Sequence, residues 1–152
     1  MRTLSLALFS LILLAVLTGS APAVDQNLKV SAQVVGTCRF DSAADIDFGT
    51  LDQTATADET ATGSLVFWCT KNASYTLGDE ANPTVADGIF SGTLAGANDT
   101  IPYDLTYTNY SGQGTGKTSP ITSVVTATIL NDDYIDVEVD NYADTVTFTV
   151  TP

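Results

Sequence analysis

Three groups of residues have types and spacing that could do chemistry. Ser111-Gly112-Gln113-Gly114-Thr115-Gly116-Lys117-Thr118 has the outline of a phosphate-cradling loop. Its first position is serine where such a loop needs glycine, and Ser119-Pro120 follows where it needs a helix, so a glycine-rich hairpin loop is expected. Asp136, Glu138 and Asp140 alternate, which on a strand sets successive carboxylates about 6.6 Å apart on one face. With Asp132 and Asp133 they could surround a calcium ion, but the D-x-E-x-D run lacks the glycine turn of a calcium loop. A solvated face whose like charges discourage edge pairing is the reading preferred. The third group is Cys38 and Cys69, the only cysteines.

Several classes of function drop out. The 152 residues include no histidine, which removes Ser–His and Cys–His catalysis and imidazole-ligated metals. A carboxylate-pair glycosidase has acids enough, but no aromatic-rich cleft marks a pair. No catalytic residue, cofactor or metal site is therefore expected. Asn72-Ala-Ser74, Asn98-Asp-Thr100 and Asn109-Tyr-Ser111 fit the N-x-[ST] pattern, which arises readily by chance. A formal net charge of −13 repels phosphate backbones and anionic lipid, so no nucleic-acid partner is expected.

Export is written at the start of the chain. Arg2 is followed by an apolar run, Leu4 to Leu17, then Ala21-Pro22-Ala23. This is the plan of a secretory signal peptide over residues 1–23, with cleavage expected after Ala23. The run is too short to anchor in a bilayer, so no membrane span is expected after cleavage. In an oxidising compartment Cys38 and Cys69 can pair, the alternatives being free thiols or intermolecular bridges. Closing that loop would stabilise the fold by roughly 3.5–4 kcal/mol on a chain-entropy argument.

The elements that must position these groups are strands. Of the 129 residues after Ala23, 52 are Val, Ile, Thr, Tyr, Phe or Trp, and helical periodicity is absent. Apolar residues alternate with polar ones at Leu28, Val30, Ala32 and Val34; at Ile101, Tyr103, Leu105 and Tyr107; at Ile135, Val137 and Val139; and at Val146, Phe148 and Val150. Each pattern reads as a strand with one buried and one wet face. Leu65 to Cys69 is continuously apolar, as in a strand inside a sheet. Ser74 to Leu77 and Val124 to Leu130 are further strands. Pro102 restricts the start of its strand to an edge or bulge. Segments 52–62 and 112–118 read as surface loops. Short strands at this spacing predict an all-β, immunoglobulin-like sandwich.

The two ends carry the functional signal. The last strand, Thr145 to Thr151, runs to Pro152 with nothing left to cover its far side, which leaves an open groove. At the other end, residues 24–35 alternate and lie outside the Cys38–Cys69 loop. An extended segment from a neighbouring molecule could fill such a groove by strand addition.

The run Cys38-Arg-Phe40, Asp47-Phe48-Gly49-Thr50-Leu51 and Gly63-Ser-Leu65-Val-Phe-Trp-Cys69-Thr70 resembles the spore coat protein U family, which includes subunits of archaic chaperone–usher pili. Tyr75-Thr76-Leu77, Ile101-Pro-Tyr103-Asp-Leu105 and Tyr142-Ala-Asp144-Thr145-Val146 continue the resemblance in order. It implies a pilin-like subunit with an incomplete sandwich over residues 37–152 that lacks its last strand. An N-terminal extension over 24–36 would serve as donor strand, with Leu28, Val30, Ala32 and Val34 entering the groove of the next subunit. Implied partners are like or related pilin subunits, a periplasmic chaperone and an outer-membrane usher. The implied route is through the periplasm to the cell surface or to secretion, as part of a pilus or a spore-coat-like assembly. A monomeric, secreted immunoglobulin-like module binding carbohydrate or calcium is the competing expectation.

Overall fold

A computed structural model describes residues 22–81 and 87–152, and the expected signal peptide, apart from Pro22 and Ala23, lies outside the described residues. Two units divide the chain, residues up to Gln33 and Val34–Pro152. In the first unit the described residues 22–33 form no strand, and every one is exposed. The alternation at Leu28 to Val34 therefore does not produce the half-buried strand expected of it. Alternation supplies a face, but a strand also needs a neighbour to take its backbone hydrogen bonds.

The second unit is an all-β, immunoglobulin-like sandwich of two antiparallel sheets. Its strands are β1 (Cys38–Ala44), β2 (Glu59–Cys69), β3 (Ser74–Asp79), β4 (Ile89–Ala95), β5 (Thr100–Tyr107), β6 (Ser111–Gln113), β7 (Ile121–Ile129) and β8 (Phe148–Thr151). The larger sheet has the order β1-β2-β7-β5-β4 and the smaller one β6-β3-β8. Period-two patterning decides which side chains enter the core: Ile101, Tyr103, Leu105 and Tyr107 from β5 are buried, as are Val125, Ala127 and Ile129 from β7. Phe67 and Cys69 of β2 meet Tyr75 and Leu77 of β3 in the same cluster. Phe67 packs edge-on against Tyr75, with ring centroids 5.2 Å apart.

Local rules account for the joints. Pro102 pairs with Thr93 of β4, but the β5–β7 ladder begins only at Asp104, so the proline meets a strand on one side. Gly63 sits where an added Cβ would lie 2.5 Å from the Ala44 carbonyl oxygen and 2.7 Å from Ile46, which lets β1 lie close against β2. Gly49 has φ +68°, and its N–H donates to Asp47 Oδ1 at 2.7 Å, so the D-F-G run is a turn set by its first and last residues.

Three expected elements differ from the structure. Residues 135–139 are turn and coil rather than a strand, following a 3-10 turn at Asn131–Asp133. The last strand covers only Phe148–Thr151. The expected loops 52–62 and 112–118 are shorter than their composition suggested, because Glu59 to Thr62 belong to β2 and Gly112 and Gln113 to β6.

Candidate functional site: an apolar groove into the sandwich

A groove of roughly 1220 Å³ opens between the two sheets. Its floor is core: Leu65, Ile101, Leu105, Val125 and Ala127. One wall is the chain that leaves β1, residues 43–53, which contributes Ile46, Phe48 and Leu51. The other is the segment 137–146 with Phe148. Most of both walls is coil. Beside the groove, β8 pairs with β3 on one edge and is the outer strand of its sheet on the other. Val146, Phe148 and Val150 are half-buried and packed against the core cluster. The groove thus offers half-buried apolar surface, and among the described residues no strand pairs with the outer edge of β8.

Polar contacts fix the walls. Gln53 Nε2 donates to the carbonyl oxygens of Tyr134 and Val137 at 3.1 and 2.8 Å, joining one wall to the other. Tyr103 Oη donates to Asp144 Oδ2 at 2.6 Å. Burial, followed by that hydrogen bond and the charge of Asp144, pushes the Tyr103 phenol well above its ordinary pKa. Deeper in, Tyr107 Oη donates to the buried Asp79 at 2.9 Å, and the Tyr107 phenol is raised for the same kinds of reason. Ala95 and Ala143 form an isolated bridge that tethers the 137–146 segment to β4.

Two of the carboxylates read as a possible calcium site, Glu138 and Asp140, serve as loop clamps. Asp140 Oδ2 accepts from the Ala97 amide at 2.5 Å and its Oδ1 from the Asn141 amide at 2.8 Å, which hold its carboxyl below the usual range. Glu138 Oε2 accepts from Asn98 Nδ2, and Asp99 Oδ2 accepts from the Glu138 amide. Among the described residues no cluster of three potential metal ligands occurs. Residues 114–120 lead into β7, a strand, so the helix a phosphate loop requires does not follow Lys117. Of the three N-x-[ST] asparagines, Asn98 and Asn109 have their amides engaged, Asn109 Nδ2 donating to the Thr122 carbonyl oxygen.

Cys38 and Cys69 stand opposite each other in the β1–β2 register and are joined by a disulfide. Leu28, Val30 and Val34 are 87%, 87% and 82% exposed, so these aliphatic side chains face solvent; Ala32 is exposed as well. Neither wall is marked as such by the alternation of the sequence. The signal available for one of them was the D-F-G-T-L run, whose turn places Phe48 and Leu51.

Two antiparallel sheets, a cross-strand disulfide and a groove with half-buried apolar walls define a β-sandwich module. The Spore Coat Protein U domain family matches over residues 24–149, and the chain belongs to that family. Its members are extracellular structural subunits of the chaperone–usher pilus type. No curated protein and no solved structure matches the chain. Among the described residues no helix is long and apolar enough to cross a membrane.

Proposed function

We propose that this protein polymerises by donor-strand complementation. The segment 24–36 of one copy lies in the groove of the next, with Leu28, Val30, Ala32 and Val34 on the side that faces the floor. The observation that carries this reading is the groove itself, whose walls and mouth present the half-buried apolar side chains Ile46, Phe48, Leu51, Leu65, Val146 and Phe148 above a buried floor. A strand laid beside β8 would cover them and satisfy the free edge at once. Four alternate residues span about 20 Å, the length of an ordinary strand. In the periplasm a chaperone would occupy the groove before assembly. An outer-membrane usher would exchange it for the neighbour's segment, with residues 37–152 forming the folded body. Family membership supports both partners as a class.

The test is assembly of the mature chain. Multimers should survive cold detergent and separate on heating, and Val30→Asp should abolish them, because it puts a charge on an apolar floor. A mature chain that stays monomeric at all concentrations would favour a solitary binding module.

A further inference from the structure

Charge on the folded body is segregated by pole. One pole is formed by segments 34–40, 69–75 and 111–120. The Thr37 amide donates to Thr70 Oγ1, the Asn72 amide to the Gly114 carbonyl oxygen and the Gly116 amide to the Cys69 carbonyl oxygen. These segments contain Arg39, Lys71 and Lys117, all exposed, and no carboxylate. They hold every Lys and Arg of residues 37–152. The tail joins the body at this pole, which we call the base.

The other pole, the apex, is formed by loops 52–58, 96–99 and 130–142, tied together by Asp58 to the Asn131 amide, Asp99 to the Glu138 amide and Asp140 to the Ala97 amide. These loops carry eight carboxylates and no cation. β2 runs from one pole to the other, Glu59 pairing at the apex with Ile129 and Cys69 lying at the base. Its 11 residues set the poles about 33 Å apart. That is several Debye lengths at physiological salt, so each pole acts on a neighbour as a separate charge.

We propose that the cationic base of one copy docks on the acidic apex of the next, so that charge sets the head-to-tail order of the polymer. This rests on the donor-strand reading above. The occupant of the apex is a second copy of this chain. A tail leaving the acceptor's groove at the apex brings base against apex, opposite charges in contact. A tail leaving at the other end brings base against base, Lys71 and Lys117 facing their own copies. Charge therefore selects the tail direction that runs against β8, whose chain passes from the Ala143 bridge near the apex to Pro152, beside Gly36 at the base. A base-to-apex contact joins two different surfaces, which builds an open filament when the rotation between copies does not close a ring.

The experiment follows multimer formation by the mature chain in 25 mM and 500 mM NaCl, using light scattering and unheated detergent gels. Lys71→Glu with Lys117→Glu should slow assembly about tenfold at low salt and less than twofold at high salt. Adding Asp132→Lys and Asp136→Lys on the same chain should restore the rate, since neither carboxylate clamps a loop and the complementarity is only inverted. Equal rates for the wild-type chain and the Lys71/Lys117 variant at low salt, or no rescue by the inverted pair, would overturn the pole contact while leaving donor-strand exchange intact. Failure of the wild-type chain to form heat-labile multimers at any salt, or their persistence in Val30→Asp, would bring down the donor-strand reading and the pole contact with it.

Discussion

Tyr103 Oη donates to Asp144 Oδ2 across 2.6 Å, fastening the floor of the groove to the segment that walls it. β5 supplies the phenol and the coil before β8 supplies the acceptor, so one bond joins the larger sheet to the approach of the last strand. Four residues along β5, Tyr107 makes the equivalent bond to Asp79 at the end of β3. The two tyrosines thus bind the sheets together from one strand.

Alkaline conditions should expose this arrangement. Both phenols are raised by burial first, then by their carboxylate partners. A group whose folded pKa lies above its unfolded value contributes stability that is complete below the unfolded value, near 10 for tyrosine, and is lost as pH rises toward the folded value. Absorbance at 295 nm should therefore show these two phenols ionising only with loss of near-ultraviolet circular dichroism above pH 10. Tyr103→Phe should remove one such ionisation and cost about 1 kcal/mol at neutral pH, the net value of a hydrogen bond with an exposed acceptor. Independent ionisation of all tyrosines in the folded chain would contradict the assignment.

Where the chain alternates beside a paired neighbour, the sequence reads directly into structure: β5 buries every second residue from Ile101 to Tyr107. Residues 135–139 show why the same pattern misleads. Their backbone donors do not enter a ladder; the Glu138 amide goes to Asp99 and the neighbouring Ala97 amide to Asp140. Asp140, which resembled part of a strand's wet face, instead accepts from the Ala97 amide, and Glu138 from the Asn98 side chain, partners that only the fold brings near. β4 has its apolar residues at Ile89, Phe90, Leu94 and Ala95, which do not alternate, so a period-two pattern does not announce it. Gly92 is needed there because a Cβ would lie 2.5 Å from the Tyr103 ring. The walls of the groove could not be read locally, since segments 43–53 and 137–146 are far apart in the chain.

Acid should loosen the apex before it unfolds the core. Backbone donors to Asp140 hold its carboxyl low, so its contribution is complete above the ordinary carboxylate value, near 4, and is lost as pH falls through the lower folded value. Melting curves between pH 6 and pH 2 should show the wild-type chain losing more Tm below pH 4 than Asp140→Asn, which has no charge to lose. Parallel curves for the two proteins would dismiss the clamp.

Reduction of the Cys38–Cys69 disulfide should cost roughly 3.5–4 kcal/mol by freeing the unfolded chain. Urea melts of the Cys38→Ser, Cys69→Ser double variant give the value directly. Because β1 lies at the edge of its sheet and carries one groove wall into the chain that follows, hydrogen exchange in residues 38–53 should rise more than in β5 or β7.

Gly63→Ala tests the other fastening of that wall. The added methyl would meet Ala44 oxygen at 2.5 Å and Ile46 at 2.7 Å, the first of them backbone that cannot rotate away. Moving the end of β1 outward should cost about 1–3 kcal/mol, the usual range for overpacking. A Tm equal to wild type would mean that β1 gives way freely and that its close approach to β2 is not needed for the fold.

The register of the tail is open to a direct experiment. A peptide of residues 24–36 added to chain 37–152 should raise its Tm, because a ligand bound only to the folded state stabilises it by about 2.7 kcal/mol at one hundred times its Kd. Replacing Val30 by Asp in the peptide should remove most of that gain. An alanine inserted between Val30 and Ser31 is the sharper probe. Composition, length and charge barely change, yet every residue after the insertion turns to the opposite face, because side chains on a strand alternate. Leu28 and Val30 would still meet the floor, while Ala32 and Val34 would turn to solvent and Ser31 and Gln33 would take their places against Ile101 or Leu105. The gain in Tm should fall by half or more. Full stabilisation by the inserted peptide would show that the groove accepts apolar chain without regard to alternation, and the four-residue donor assignment would be wrong.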